Sequence, residues 1–137
     1  MARYLPLLLL VAACTSDQPQ AEPEAAEPSA RVFFASPADG AELESPISVE
    51  MAAEGIDVVP AGTFTENSGH FHILVNEPFL APGSVIPADS THIHYGDGSS
   101  STTLDLPPGE HVLRLQLADG AHIALEGMED EITITVR

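Results

Sequence analysis

Lysine and tryptophan are absent, cysteine occurs once, and the only permanently basic side chains are four arginines, set against 21 acidic residues. The formal net charge of −17 argues against nucleic-acid binding, because phosphate neutralisation needs a basic patch. A polybasic membrane-surface patch is ruled out by the same balance. One cysteine cannot form an intramolecular disulfide, and no Cys-x-x-Cys pair exists for metal or redox work. Aromatic residues make up only 5% of the chain, so large stacking platforms are missing. No G-x-S-x-G elbow, P-loop or dinucleotide-binding glycine motif occurs. Apolar residues make up 44% of the 137 positions, enough for the core of one domain. Six histidines carry most of the remaining chemical information.

The first 14 residues read as an export signal. Arg3 precedes an apolar stretch, Leu5 to Ala13, that is too short to cross a bilayer, which takes roughly 20 residues. The run Leu10-Val11-Ala12-Ala13-Cys14, small residues followed by cysteine, resembles the lipobox of bacterial lipoproteins. That resemblance implies cleavage before Cys14, lipidation of its thiol and membrane anchoring through the attached acyl chains. Thr15, rather than aspartate, after the cysteine implies the periplasmic face of the outer membrane, within the bacterial cell envelope. Residues 15–30 carry Pro19, Pro23 and Pro28 among Asp17, Glu22, Glu24 and Glu27, without apolar periodicity. Such a segment stays extended and solvated, and at about 3.1 Å per residue it reaches roughly 50 Å as a tether. The expected partner is therefore the membrane; no protein partner is indicated.

Residues 31–137 suit one small domain made of strands. Apolar alternation at period two marks Ile47–Met51, His111–Leu117 and Glu131–Val136. Further β-rich runs lie at Arg31–Ala35, His70–Val75, Thr91–Tyr95 and Thr102–Leu106, with a short one at Ala121–Leu125. Turn residues separate them, among them Asp39-Gly40, Gly96-Asp97-Gly98, Pro107-Pro108-Gly109 and Asp119-Gly120. No stretch holds a sustained helical stripe. The expected fold is all-β, an immunoglobulin-like antiparallel β-sandwich of seven or eight strands. The segment from Leu104 to Asp119 has the form of the corner between the fifth and sixth strands of such domains. Residues 54–69 and 76–90 are long and rich in glycine and proline, where function often sits.

All six histidines fall between positions 70 and 122. His70 and His72 are spaced i, i+2, as are His92 and His94, which puts each pair on one face of a strand. Neutral imidazole is the commonest protein metal ligand, and two such pairs on neighbouring strands would gather four rings. His111 and His122, each just after a turn, are further candidates. So is Glu77, because His70-x-His72 followed by Glu77 has the H-x-H-x4-E spacing of cupins. Without thiolates, and with too few methionines for a copper(I) site, a nitrogen set suits zinc(II), copper(II) or nickel(II), and the expectation is a divalent transition metal such as copper or zinc.

These motifs together resemble domain-of-unknown-function family 4399. The resemblance rests on Gly69-His70-Phe71-His72-Ile73-Leu74-Val75, Ile86-Pro87-Ala88-Asp89, His92-Ile93-His94-Tyr95-Gly96 and Thr102-Thr103-Leu104-x-Leu106-x-Pro108-Gly109. It spans roughly residues 31–137 and implies a small exported bacterial protein in which His70, His72, His92 and His94 matter. It names no reaction. Phe71 stands where that family carries a middle histidine, and Ser99, Ser100 and Ser101 stand where a carboxylate-bearing segment is typical. The expected function is a lipid-anchored extracytoplasmic binding module whose histidine cluster holds copper or zinc. A small metalloenzyme with an open coordination position, and a metal-free ligand- or peptide-binding module, remain as alternatives.

Overall fold

A computed structural model describes residues 29–137. The expected signal at 1–14, the lipidation site Cys14 and all but the last two residues of the expected tether lie outside the described residues. Among the described residues there are nine strands and no helix. They are β1 (Arg31–Ser36), β2 (Glu42–Leu43), β3 (Ile47–Glu54), β4 (Asp57–Val58), β5 (Ser68–Val75), β6 (His92–His94), β7 (Ser101–Leu104), β8 (Gly109–Ala118) and β9 (Ala124–Val136).

Two sheets form. One has the order β1-β3-β7; the other runs β2-β9-β8-β5-β4, with β6 also paired to β5. Strand alternation builds the core between them. Phe71, Ile73 and Val75 of β5, Leu113, Leu115 and Leu117 of β8, and Ile132, Ile134 and Val136 of β9 meet Val32, Phe34, Ile47, Val49, Met51 and Leu104 of the facing sheet. Burial of these side chains is the main favourable contribution to folding, at about 25 cal/mol per Å² of apolar surface. In immunoglobulin terms the three-stranded sheet is A-B-E, and the other is G-F-C with an added C′ strand. The expected sandwich is therefore the architecture found.

Its details differ from the expectation in three ways. There are nine strands, because β2 and β4, at two residues each, are too short to show alternation. Both pair in parallel, β2 with β9 and β4 with β5, so the sheets are not wholly antiparallel. The expected strand at 131–136 and only the last two residues of the one expected at 121–125 fall in a single strand, β9, which runs through the acidic stretch around Glu126–Glu131 and takes up positive φ at Gly127; Ala121 and His122 lie in the turn before it, and Ile123 makes an isolated bridge to Val85. That stretch lies largely exposed, so it lacks the apolar alternation by which a strand is read. At its end Asp130 reaches the other sheet and accepts a hydrogen bond from the Phe34 amide of β1, at 2.9 Å.

Strand β5 is the centre of the functional argument, because all eight of its residues are buried. One face meets the core. The other, carrying His70, His72 and Leu74, lies beneath the 76–91 connection and the turn after β8, with β6 paired alongside in the sheet. Outward side chains of β8 hold this cover in place. Gln116, fully buried and directly across from His72, donates to the Leu80 carbonyl at 2.7 Å and accepts from the Leu80 amide at 3.1 Å. Arg114 donates to the Glu77 carbonyl at 2.6 Å and to the Glu131 carboxylate at 2.6 Å. Leu80 and Ile86 then pack on Ala118 and Ala124 as a small second core. Replacing Gln116 with Leu keeps the volume but leaves both Leu80 backbone groups unpaired, costing roughly 1–3 kcal/mol for each group that stays buried. The expected result is a lower denaturation midpoint and faster amide exchange at Leu80; unchanged protection there would show that the clasp is dispensable.

Candidate metal centre

The i, i+2 spacing on β5 puts His70 and His72 side by side on its outer face, with their Nε2 atoms 3.0 Å apart. Antiparallel pairing of β6 sets His94 directly across from His72. The His94 ring lies over Gly96, where any Cβ would overlap the imidazole, so glycine is required at that close approach. The fourth ring comes from the turn between β8 and β9. There Asp119 Oδ1 accepts from the amides of Ala121 and Ile123 at 2.8 and 2.9 Å, and the Asp119 carbonyl accepts from the His122 amide at 3.0 Å. His122 is held at φ 64°, a left-handed conformation that costs a non-glycine residue about 1–2 kcal/mol. The His122 carbonyl accepts from the Ile86 amide at 2.8 Å, which ties this turn to the cover over β5. So placed, His122 Nδ1 lies 3.1 Å from His70 Nε2.

One nitrogen from each of His70, His72, His94 and His122 falls within 4.8 Å of the others. The six ring-to-ring separations run from 4.7 to 5.9 Å. His70 and His72 are fully buried, while His94 and His122 are partly exposed. Burial, with the neighbouring His94 and His122 as smaller contributions, pushes His70 down to about 4 against a weak opposing pull from Asp119. Burial chiefly pushes His72 down to about 3. His94 is lowered as well, mainly by burial and then by His122, with Asp97 opposing. His70 and His72 are therefore neutral at pH 7 and carry lone pairs available to a cation without displacing a proton from nitrogen. Nδ1 of His70, Nδ1 of His72 and Nε2 of His94 are buried without a protein hydrogen-bond partner. Buried polar atoms are rarely left in that state; for His70 and His72 these are the nitrogens opposite the converging Nε2 atoms.

The other sequence candidates sit elsewhere. His92 is not in the quartet, because its place in the register is across from Leu74, two pairs further along the strands. Its Nδ1 lies 2.9 Å from Asp89 Oδ1, and this contact chiefly holds the Asp89 carboxyl below its usual range. His111 has both ring nitrogens engaged. Nε2 donates to the Pro107 carbonyl at 2.8 Å, and Nδ1 accepts from the Asn76 amide group at 3.0 Å, so it braces the corner between β7 and β8. Glu77 lies past the end of β5 and belongs to no metal-competent group, so the cupin-like spacing does not close on an ion here. His122, one of the further candidates, takes the place expected of His92. The only signal for it in the sequence is the Asp119-Gly120 turn, which forecasts a reversal but not the direction of the ring.

Fold and site together define a small β-sandwich with an all-imidazole cluster on the outer face of one sheet. Residues 49–137, more than half of the chain and including all four of those histidines, match the family described as Domain of unknown function (DUF4399), and the chain belongs to that family. No curated protein and no solved structure matches it.

The lowered histidines give a pH dependence whose sign is fixed. Between about pH 6.5 and the folded values near 4 and 3, the unfolded chain binds protons at His70 and His72 that the folded chain refuses. Stability of chelator-treated protein from these groups is complete above pH 6.5 and is lost as pH falls through that window, with a slope of up to two protons. Relief of carboxylate repulsion acts in the opposite sense, so the comparison is with His72→Leu. Thermal melts should show the wild type losing more stability than the variant from pH 6.5 to 4; parallel curves would contradict the assigned shifts.

Proposed function

We propose that this chain is a lipid-anchored module of the bacterial cell envelope that binds one divalent transition-metal ion, copper or zinc, through His70, His72, His94 and His122. The observation that carries the reading is the convergence of four imidazole nitrogens within 4.8 Å of one another. Neutrality of the two buried rings supports it. Four protein ligands complete a four-coordinate shell, as in structural metal sites, whereas a catalytic site keeps a position open for water or substrate. Binding or carriage is therefore favoured over catalysis. The anchoring half of the proposal rests on the resemblance of Leu10–Cys14 to a lipobox and on the acidic, proline-rich residues that follow.

Two measurements test the halves separately. Protein purified without a His-tag and reconstituted with copper or zinc should hold about one equivalent by elemental analysis. His122→Ala should weaken binding by roughly 100-fold or more, since even residues that only support metal ligands are worth about 10–100-fold. His92→Ala should bind like the wild type. No bound metal, or equal losses in the two variants, would refute the assignment. For the anchor, Cys14→Ser should move the protein from the membrane fraction to the soluble fraction, and an unchanged distribution would remove Cys14 as the attachment point.

A further inference from the structure

We infer that the cluster is shaped for a tetrahedral ion, zinc(II), and against the tetragonal geometry of copper(II); this rests on the metal-binding role proposed above and narrows it. Four points at the corners of a square have six separations, of which two, the diagonals, are about 1.4 times the sides; this is the pattern a square-planar copper(II) or nickel(II) site imposes on its ligands. In a tetrahedron all six are equal. Here five of the six ring separations lie between 4.7 and 5.0 Å, and only His72–His122 is longer, at 5.9 Å. If His72–His122 were one diagonal of a square, the other would be His70–His94. That separation is 4.9 Å, no longer than a side. The rings therefore enclose a volume rather than lie around a plane.

Two short nitrogen contacts lie near the spacing such an ion needs, within a set that spans up to 4.8 Å. Zinc–nitrogen bonds of about 2.0–2.1 Å in a tetrahedron space the four nitrogens about 3.3–3.4 Å apart. His70 Nε2 already lies 3.0 Å from His72 Nε2 and 3.1 Å from His122 Nδ1, so each contact needs to open only slightly.

The shape is held by the fold rather than by an ion. His70 and His72 are fixed by a strand buried on both faces, and His94 by its register across from His72 and its seat over Gly96. His122 is fixed by the Asp119 turn and by the Ile86 hydrogen bond. Flattening the set would require at least one of these anchors to give. The general affinity order puts copper(II) above zinc(II) for flexible nitrogen sites, and selectivity against that order comes from imposed geometry. An all-nitrogen set also lacks the thiolates or thioethers that favour copper(I).

Cobalt(II) reports the geometry directly, because four-coordinate tetrahedral cobalt absorbs strongly in the visible and six-coordinate cobalt weakly. The full-length, untagged, metal-free chain is titrated with cobalt(II), then with zinc(II). The expected result is an intense visible band that saturates at one equivalent and is abolished by one equivalent of zinc(II). Stoichiometric binding with only weak absorption would overturn the tetrahedral assignment while leaving metal binding intact. Failure to hold cobalt(II), zinc(II) or copper(II) at all would remove the metal-binding reading itself, and this inference with it.

Discussion

Burial of two adjacent imidazoles on a strand that has no solvent-facing side is the constraint to which the rest of this domain answers. His70 and His72 stay neutral there at pH 7, and their inward nitrogens lie too close for water to separate them. The cover over β5 keeps that arrangement closed. Gln116 and Arg114 reach out from β8 to grip the 76–91 connection, and Ile86 and Leu80 seal it against Ala118 and Ala124. The strained backbone at His122 belongs to the same arrangement. Left-handed φ at a non-glycine residue persists only where its surroundings over-determine it, and here Asp119 and Ile86 do so.

Much of the framework is legible in the residues. Alternation in His111–Leu117 and Glu131–Val136 reports a sandwich core because one face of each strand is apolar and the other is not. The i, i+2 rule places His70 with His72 without any knowledge of neighbours. What the sequence cannot carry is register. His92 and His94 share a face, but whether His92 or His94 comes level with His72 depends on which residue of β6 pairs with which residue of β5. A two-residue slide would have brought in His92 instead. Likewise β9 crosses an exposed acidic stretch where a strand has no apolar face to declare itself, and two-residue strands such as β2 and β4 have no period at all. His122 eludes prediction because a turn residue's side-chain direction is set by its φ, and φ 64° is unusual for histidine.

A neutral ligand set also bears on the charge of the chain. Four imidazoles contribute no negative charge, so a dication among them would keep its full charge in a largely dry pocket. Compensation must come from outside the ligand ring. Asp119 and Asp97 are near enough to act on His70 and His94, yet both are committed to turn hydrogen bonds and stay back from the ligand positions. Beyond them stands a chain of net charge −17. A sandwich by itself implies no activity, and here the chemistry sits on the outside of one sheet, under a cover made by loops.

The hydrogen bond from the Phe34 amide to Asp130 has a consequence for how copies of this domain meet. Strand β1 is an open margin of its sheet, and an outward-pointing amide there is an invitation for another chain to extend the sheet. Asp130, sent across from the opposite layer, occupies that donor and plants a carboxylate beside it. A neighbouring molecule approaching along this margin would find that hydrogen bond already taken and a like charge in its way, which disfavours extension of the sheet past β1 at this point.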